Sequence, residues 1–104
     1  MTNQQLGKLN EYRVLKYCEK LGWSIQKTGF NYDKYHNIDF IATTPNHWLV
    51  FIQVKPISYF NTKIEERDKL IQIAQKYNGS AYYFYVGKKI YRKKVYENEK
   101  RIKD

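Results

Sequence analysis

The feature that most constrains this chain is a pair of apolar segments, residues 37–43 and 48–55, separated by a short turn around a Pro-Asn pair. Side chains along a strand alternate between two faces, so Gln53 and Lys55 share one face and lie roughly 7 Å apart. The apolar residues that flank Gln53 point the other way, into a core. If the two segments pair as a hairpin, Asp39 comes near both polar side chains. Charges among apolar strands cost free energy, so their convergence indicates a functional site.

The charge balance favours a polyanionic partner. The chain has 104 residues, with 19 Lys and Arg against 10 Asp and Glu, which gives a net charge of +9. Nucleic acid is the first candidate partner and an anionic membrane surface is the second. A membrane-surface protein needs a basic amphipathic helix with bulky apolar anchors, whereas these cations are spread along the chain. We therefore expect DNA as the partner, no membrane association, and one domain over residues 1–104 with a single core.

Cysteine and histidine usage restricts the compartment and the metal chemistry. Cys18 is the one cysteine, which excludes an internal disulfide and fits a reducing compartment. The polar N-terminus lacks the apolar region of a secretion signal, so we expect a cytoplasmic location. His36 and His47 stand alone without a second cysteine, so no zinc site is expected. Each is most simply a loop residue, and His36 is the nearer of the two to Asp39.

The first predicted element is an amphipathic helix over residues 5–21, which ends at the glycine that follows. Leu15, Cys18 and Leu21 recur on its apolar stripe at helical spacing, with Val14 flanking them. Glu11 lies four residues before Leu15, so it falls on that stripe and not on the solvated face. Two interpretations stay open: a carboxylate that reaches the functional site, or a structural acid that either lies at the helix end beside the stripe or pairs with Lys8.

The remaining elements predict a mixed α/β sheet. Thr62 and Glu65 form a capping-box signature before the second helix. The early strands can form an antiparallel meander, and the second helix can cross over to make the next strand parallel to one of them. A five-stranded sheet with a helix on each face would bury both apolar stripes. In chain order the elements are strands over 23–28, 37–43 and 48–55, a helix over 63–77, and strands over 81–86 and 89–96.

The side chains that converge suit magnesium-assisted hydrolysis of a phosphodiester. Mg²⁺ takes oxygen ligands, keeps several waters, and is held by one or two carboxylates together with substrate phosphate. Asp39 would be the main ligand, with the Gln53 side-chain carbonyl, the Val54 backbone carbonyl and Glu11, directly or through water. Lys55 would orient the attacking water and stabilise negative charge in the transition state.

A helical Glu, then an Asp, then Gln-x-Lys on the next strand resembles the signature of the PD-(D/E)XK nuclease superfamily. Within it the chain is most similar to the archaeal Holliday junction resolvases and related small nucleases. The resemblance implies a restriction-endonuclease-like core, Mg²⁺-dependent DNA cleavage in which Mn²⁺ substitutes, and a homodimer that presents two sites to two strands. It implies an active site of Glu11, Asp39, Gln53 and Lys55, and Thr28 resembles a hydroxyl residue near the resolvase site. The similar segments are residues 10–15, 21–25, 38–42, 51–55 and 68–79.

The chain departs from the resolvases at Gln53, where they have Glu. Glutamine lacks the charge and binds Mg²⁺ less well. Mrr-like restriction nucleases and a transposon end-cleaving subunit also resemble this chain in using Gln-x-Lys. Two alternatives to an enzyme remain: a catalytically inactive nucleic-acid-binding module on a nuclease-like fold, and a structural ion pair between Asp39 and Lys55.

Exposed cations are the candidate phosphate contacts, and the alternative for each is a solvated surface charge. Alternation along the last strand would put several of them on one exposed face. A short chain rich in Lys and Tyr would suit an archaeal virus or a mobile element. The candidates for DNA binding are Lys8, Lys27, Thr28, Lys34, Lys63, Arg67, Lys88, Lys89, Arg92, Lys93 and Lys94.

Overall fold

The computed structural model describes residues 2–27, 38–62, 64 and 67–97. These residues form two helices, five strands and one short 3-10 turn in an α/β arrangement. In chain order the elements are α1 (Asn3–Lys20), β1 (Ser24–Lys27), β2 (Phe40–Thr43), β3 (Leu49–Pro56), the 3-10 turn (Ile57–Tyr59), α2 (Arg67–Lys76), β4 (Ser80–Val86) and β5 (Ile90–Glu97).

The five strands form one mixed sheet in the order β1-β2-β3-β4-β5. The first three strands are an antiparallel meander, and β5 runs antiparallel to β4. The connection that contains α2 lets β4 run parallel to β3, with Val50 opposite Ser80 and Pro56 opposite Val86. The predicted fold class and strand directions are therefore confirmed.

A helix covers each face of the sheet. Val14 and Cys18 of α1 pack on one face against Ile52 and other apolar strand residues. Leu70 and Ala74 of α2 pack on the opposite face. The alternation of the strands therefore produces two apolar layers, as the amphipathic pattern predicts. We call these faces the α1 face and the α2 face.

α1 starts two residues earlier than predicted because a capping box fixes its first turn. The Gln5 N–H donates to the Thr2 hydroxyl at 3.1 Å, and the Thr2 N–H donates to Gln5 Oε1 at 2.8 Å. Thr-x-x-Gln is a sequence signature of this cap. The helix ends as expected at Gly22, whose φ of 81° is a left-handed conformation that glycine adopts without strain.

The buried stripe of α1 differs from the predicted one by about one residue. It passes through Asn10, Val14 and Cys18, which are spaced four apart, while Leu21 is 36% exposed. Glu11 is half-buried beside this stripe and not at its centre. The predicted stripe contained Leu15 and Leu21, whereas the observed stripe begins with a buried asparagine, Asn10.

α2 starts later than the predicted residue 63. Ile64 is buried in the core outside the helix, and the Arg67 N–H donates to the Ile64 carbonyl at 3.1 Å. Lys63 and Glu65 lie outside the described residues, and so does the predicted capping-box contact. At the other end Asn78 has the left-handed φ of 60°. Gly79 serves a different purpose, since a Cβ there would lie 2.7 Å from the Leu49 carbonyl oxygen.

The tyrosine-rich strand β4 packs in the core. Tyr83, Phe84 and Tyr85 are all at most 2% exposed. His47 is exposed in the turn between β2 and β3, as predicted, whereas His36 lies outside the described residues. Within the described part of the chain, no helix is both long and apolar enough to span a membrane.

Candidate active site

Asp39 lies immediately before β2, on the side of β3 that carries the Gln-x-Lys pattern. Its N–H donates to the Ile52 carbonyl at 2.9 Å, which continues the antiparallel ladder by one residue. Its Oδ2 accepts a hydrogen bond from the Val54 N–H at 2.7 Å. A carboxylate that accepts from a backbone N–H is held in one orientation. Asp39 is thus an oriented, half-buried acid beside the middle of β3.

Gln53 is a polar residue buried in the core of the sheet. It is 5% exposed on β3, and its Oε1 is buried without a hydrogen-bond partner among the described residues. An unsatisfied buried acceptor costs about 1–3 kcal/mol. A buried polar group without a partner needs an explanation, and an ion bound at the site would provide one. The Gln53 oxygen together with the Asp39 carboxylate is a donor set that suits a hard cation.

Lys55 and Glu11 come together at the end of β3. Both line a cavity of about 400 Å³ between the N-terminal half of α1 and the last residues of β3. Lys55 is half-buried there, and its Nζ lies 5.4 Å from the centre of the Tyr59 ring. The ring restricts the lysine side chain and offers a weak cation–π contact. The cavity thus places an acid and an ammonium beside the strand that carries Gln53.

Val54 lies between Asp39 and the cavity that Glu11 and Lys55 line. Its N–H binds Asp39, and it lines the cavity with Glu11 and Lys55. All five predicted catalytic and metal-binding residues therefore surround the C-terminal half of β3. No cluster of three His, Cys, Asp or Glu residues occurs in the part of the chain that the structure describes. An ion here would depend on two carboxylates and neutral oxygens, which is a ligand set that Mg²⁺ accepts.

Three residues of this region were missed by the sequence analysis. Asn10 is 7% exposed and lines the cavity beside Glu11. Arg13 donates to the carbonyls of Gly87, at 2.7 Å, and Lys88, at 3.1 Å. Tyr59 is the third. Only Asn10 has a sequence signal, because it occupies the apolar spacing of α1 while being polar.

The β4–β5 turn lies at the same end of the sheet as the candidate site. β3 and β4 are parallel, with Lys55 opposite Tyr85 and Pro56 opposite Val86, so the turn that follows Val86 emerges beside the end of β3. Arg13, two residues from Glu11 on α1, binds this turn through its carbonyls. The turn therefore holds two exposed lysines, Lys88 and Lys89, near the site.

Alternation along β5 puts two of the predicted phosphate contacts, Arg92 and Lys94, on one face of the sheet and Lys93 on the other. Arg92 lies over the Trp23 ring at 5.5 Å and Lys94 over the Tyr82 ring at 6.0 Å, on the α1 face. Lys93 contacts the other face, because adjacent strand residues point in opposite directions.

The remaining predicted DNA contacts are accounted for as follows. Lys27 is the last residue of β1. The exposed ones are Lys8, Arg67, Lys88, Lys89, Arg92, Lys93 and Lys94, while Thr28, Lys34 and Lys63 lie outside the described residues.

The fold is similar to that of a solved nuclease. The Holliday junction resolvase Hjc from Archaeoglobus fulgidus, an archaeal hyperthermophile, superimposes with a TM-score of 0.62. The match covers 82% of this chain and 72% of that one, at 18% sequence identity. No protein-family model and no curated protein matches the sequence. The similarity therefore shows a nuclease-like fold.

Proposed function

We propose that this protein is a metal-dependent endodeoxyribonuclease of the PD-(D/E)XK type. The observation that carries the proposal is the buried Gln53 Oε1, which lacks a partner among the described residues beside an Asp39 carboxylate that a backbone N–H orients. A hard cation would satisfy both groups. The net charge of +9 and the nuclease-like fold support a polyanionic substrate.

Each residue has a distinct task in this proposal. Asp39, the Gln53 amide oxygen and the Val54 carbonyl would hold Mg²⁺, with Glu11 as a further ligand, directly or through water. A Mg²⁺ ion held there would supply polarisation of the phosphoryl group and a more acidic water. Lys55 orients the attacking water with its N–H donors and stabilises the charge that develops on the phosphate oxygens. Tyr59 restricts the positions that the Lys55 ammonium can reach.

For the substrate we propose branched DNA, cut by a resolvase-like homodimer in which two copies of the site act on two strands. The likeness to the Archaeoglobus resolvase supports this choice. The basic β4–β5 turn at the same end of the sheet would hold phosphates on either side of the cut.

A catalytically inactive DNA-binding module is the second candidate. Gln53 favours it, because an amide at this position contributes no negative charge to the metal site. The described residues also provide no third acid. Such a module would bind DNA in a salt-sensitive way without metal-dependent turnover.

The test is cleavage of a labelled four-way junction and a linear duplex of the same sequence, in Mg²⁺ and in EDTA. Asp39→Asn keeps the size of the side chain and removes its charge, so it should abolish cleavage and leave binding intact. Asp68→Asn is the matched control, since Asp68 is exposed at the first turn of α2. Lys55→Ala should abolish cleavage as well.

The outcomes separate the candidates. Symmetric Mg²⁺-dependent cuts in the junction alone, lost in Asp39→Asn, would establish a resolvase. Cutting of both substrates would indicate a general endonuclease. Cleavage that survives both Asp39→Asn and Lys55→Ala would disprove the proposed site. Tight binding without cutting in Mg²⁺ or Mn²⁺ would establish the inactive module.

A further inference from the structure

A second cavity, of about 510 Å³, opens on the α2 face of the sheet. Its volume falls in the range of roughly 300–1,000 Å³ typical of small-ligand sites. The segment that follows β3 forms one wall, and β4 and β5 form the floor. The lining residues used below are Phe60, Asn61, Thr62, Arg67, Tyr85 and Lys93.

This cavity adjoins the candidate active site. Gln53 is opposite Tyr83 and Lys55 is opposite Tyr85 on the neighbouring parallel strand, and both tyrosines line the cavity. Adjacent strands are about 4.8 Å apart, so the cavity begins one strand from Gln53 and Lys55 on the same face. Tyr59 contacts Lys55, and the next residue, Phe60, forms the cavity wall. A strand of DNA at the site could therefore place a neighbouring nucleotide in the cavity.

Phe60 offers an aromatic surface at the cavity wall. It is 39% exposed although it is a large apolar side chain. Two ring contacts hold it, at 5.1 Å from Tyr85 and 6.2 Å from Tyr91, both near perpendicular. Lys93 Nζ lies 5.9 Å from its ring centre. A fixed, exposed ring beside a cation is the arrangement on which nucleobases stack.

Polar groups of the cavity suit the remainder of a nucleotide. Tyr85 is 2% exposed and lines the cavity, so its hydroxyl can serve as a donor or acceptor there. Asn61 and Thr62 add an amide and a hydroxyl. Arg67 and Lys93 supply positive charge, and the described lining residues include no Asp or Glu. Lys94 also borders the cavity, but its ammonium lies over the Tyr82 ring on the α1 face and pairs with Glu97.

We propose that this cavity receives one unpaired nucleotide of the DNA substrate, next to the phosphodiester that is cut. The base stacks on Phe60, the Tyr85 hydroxyl bonds to its edge or sugar, and Arg67 and Lys93 contact its phosphate. A concave site can hold a base only after the base has left the duplex stack, which costs least where the base is already unpaired. The inference rests on the proposed nuclease function and specifies its substrate as DNA with unpaired nucleotides at a branch.

The experiment compares binding of two labelled DNAs in EDTA: a blunt duplex, and the same duplex with a short single-stranded arm. Stacking of one base on an aromatic ring predicts that Phe60→Ala weakens binding of the armed DNA by about 5- to 150-fold and leaves the blunt duplex unchanged. Phe60→Trp should restore the difference. Tyr12→Ala is the matched control, because Tyr12 is an exposed tyrosine of α1 that also has a lysine over its ring, Lys16 at 5.4 Å.

Tyr85→Phe is a second variant, which keeps the packing and removes only the hydroxyl. It should weaken binding of the armed DNA several-fold. Equal affinity of wild type and Phe60→Ala for the armed DNA would overturn the inference, and so would equal losses on both DNAs. The binding readout is independent of cleavage. If no DNA is cut but the arm preference depends on Phe60, the nuclease proposal fails and the nucleotide cavity stands. If cleavage depends on Asp39 but binding shows no preference for the armed DNA, the nuclease proposal stands and the nucleotide cavity fails.

Discussion

Residue 53 carries a neutral amide where a carboxylate would contribute charge to a metal site. Gln53→Glu would place a second acid beside Asp39 at a position that is 5% exposed. Two close carboxylates repel without metal, so we expect a lower melting temperature than wild type in EDTA. With the added charge we expect roughly tenfold tighter Mn²⁺ binding by calorimetry. The melting temperature should accordingly rise more with Mn²⁺ than it does for wild type.

Gln72→Glu is the control for that substitution, because Gln72 is exposed on α2 and the change of charge is the same. It should alter neither Mn²⁺ affinity nor the response of the melting temperature to Mn²⁺. Identical behaviour of the two variants would argue against an ion at Gln53 and would leave the unsatisfied amide as a feature of the core.

Cys18 predicts a pH dependence of stability. Burial raises the pKa of its thiol to about 12, although the nearby Arg92 charge acts to lower it. In the unfolded chain the thiol has a pKa of about 8.5. Between these values the unfolded chain releases a proton that the folded protein keeps. The stability contribution is therefore complete below about pH 8 and is lost as the pH rises toward 12.

Urea unfolding at pH 8 and pH 10 measures this effect, with Cys18→Ala as the reference that lacks the thiol. Wild type should lose about 1–2 kcal/mol more than Cys18→Ala between the two pH values. Equal losses would mean that the folded thiol ionises as readily as the unfolded one.

At the scale of residues, alternation alone predicted that Gln53 and Lys55 share a face and that Asp39 approaches them. The backbone bond from Val54 to Asp39 follows from that register. The role of Asn10 was not predicted, because a polar residue in an apolar stripe is read as solvated unless the helix rotation is known. Tyr59 was missed because its contact with Lys55 depends on a 3-10 turn that no periodicity indicates.

At the scale of elements, the connection between α2 and β4 depends on a close backbone approach at Gly79. A Cβ there would lie 2.7 Å from the Leu49 oxygen and 3.2 Å from a Phe51 ring carbon. Gly79→Ala must therefore shift β3 or the helix end, and we expect a loss of about 1–3 kcal/mol in the free energy of unfolding. Gly7→Ala in α1 meets nothing within 4 Å and should be stabilising by about 0.5–1 kcal/mol. Urea denaturation measures the free energy of unfolding of both variants. Equal changes in the two would contradict the close backbone approach at Gly79.

Element types and order were predictable because each helix and strand has a clear hydrophobic period. The residues at which helices and strands begin were less predictable. α2 starts late because Ile64 is held in the core outside the helix. β2 starts after Asp39, since that residue makes a ladder bond without continuing as a regular strand. In both cases a tertiary contact overrides a local signal.

At the scale of the whole molecule, the parallel pairing of β3 and β4 brings the candidate site and a basic turn to the same end of the sheet. The candidate site lies at the end of β3, and the turn with Lys88 and Lys89 lies at the end of β4, where Arg13 holds its carbonyls. The opposite end of the sheet also carries exposed lysines, among them Lys20 at the end of α1 and Lys76 at the end of α2. Charge is therefore abundant at both ends, and only its position relative to the site differs.

This difference predicts how DNA affinity depends on salt. Each phosphate that a lysine neutralises contributes about 0.9 to the slope of log K against log salt concentration. If DNA lies across the site, the double variant Lys88→Ala/Lys89→Ala should reduce that slope by up to about 1.8. Lys20→Ala/Lys76→Ala removes the same charge from the opposite end and should leave the slope nearly unchanged. Fluorescence anisotropy from low to moderate salt measures both. Equal reductions would mean that the charge of +9 attracts DNA without a preferred face, and the proposed substrate path over the end of β3 would be wrong.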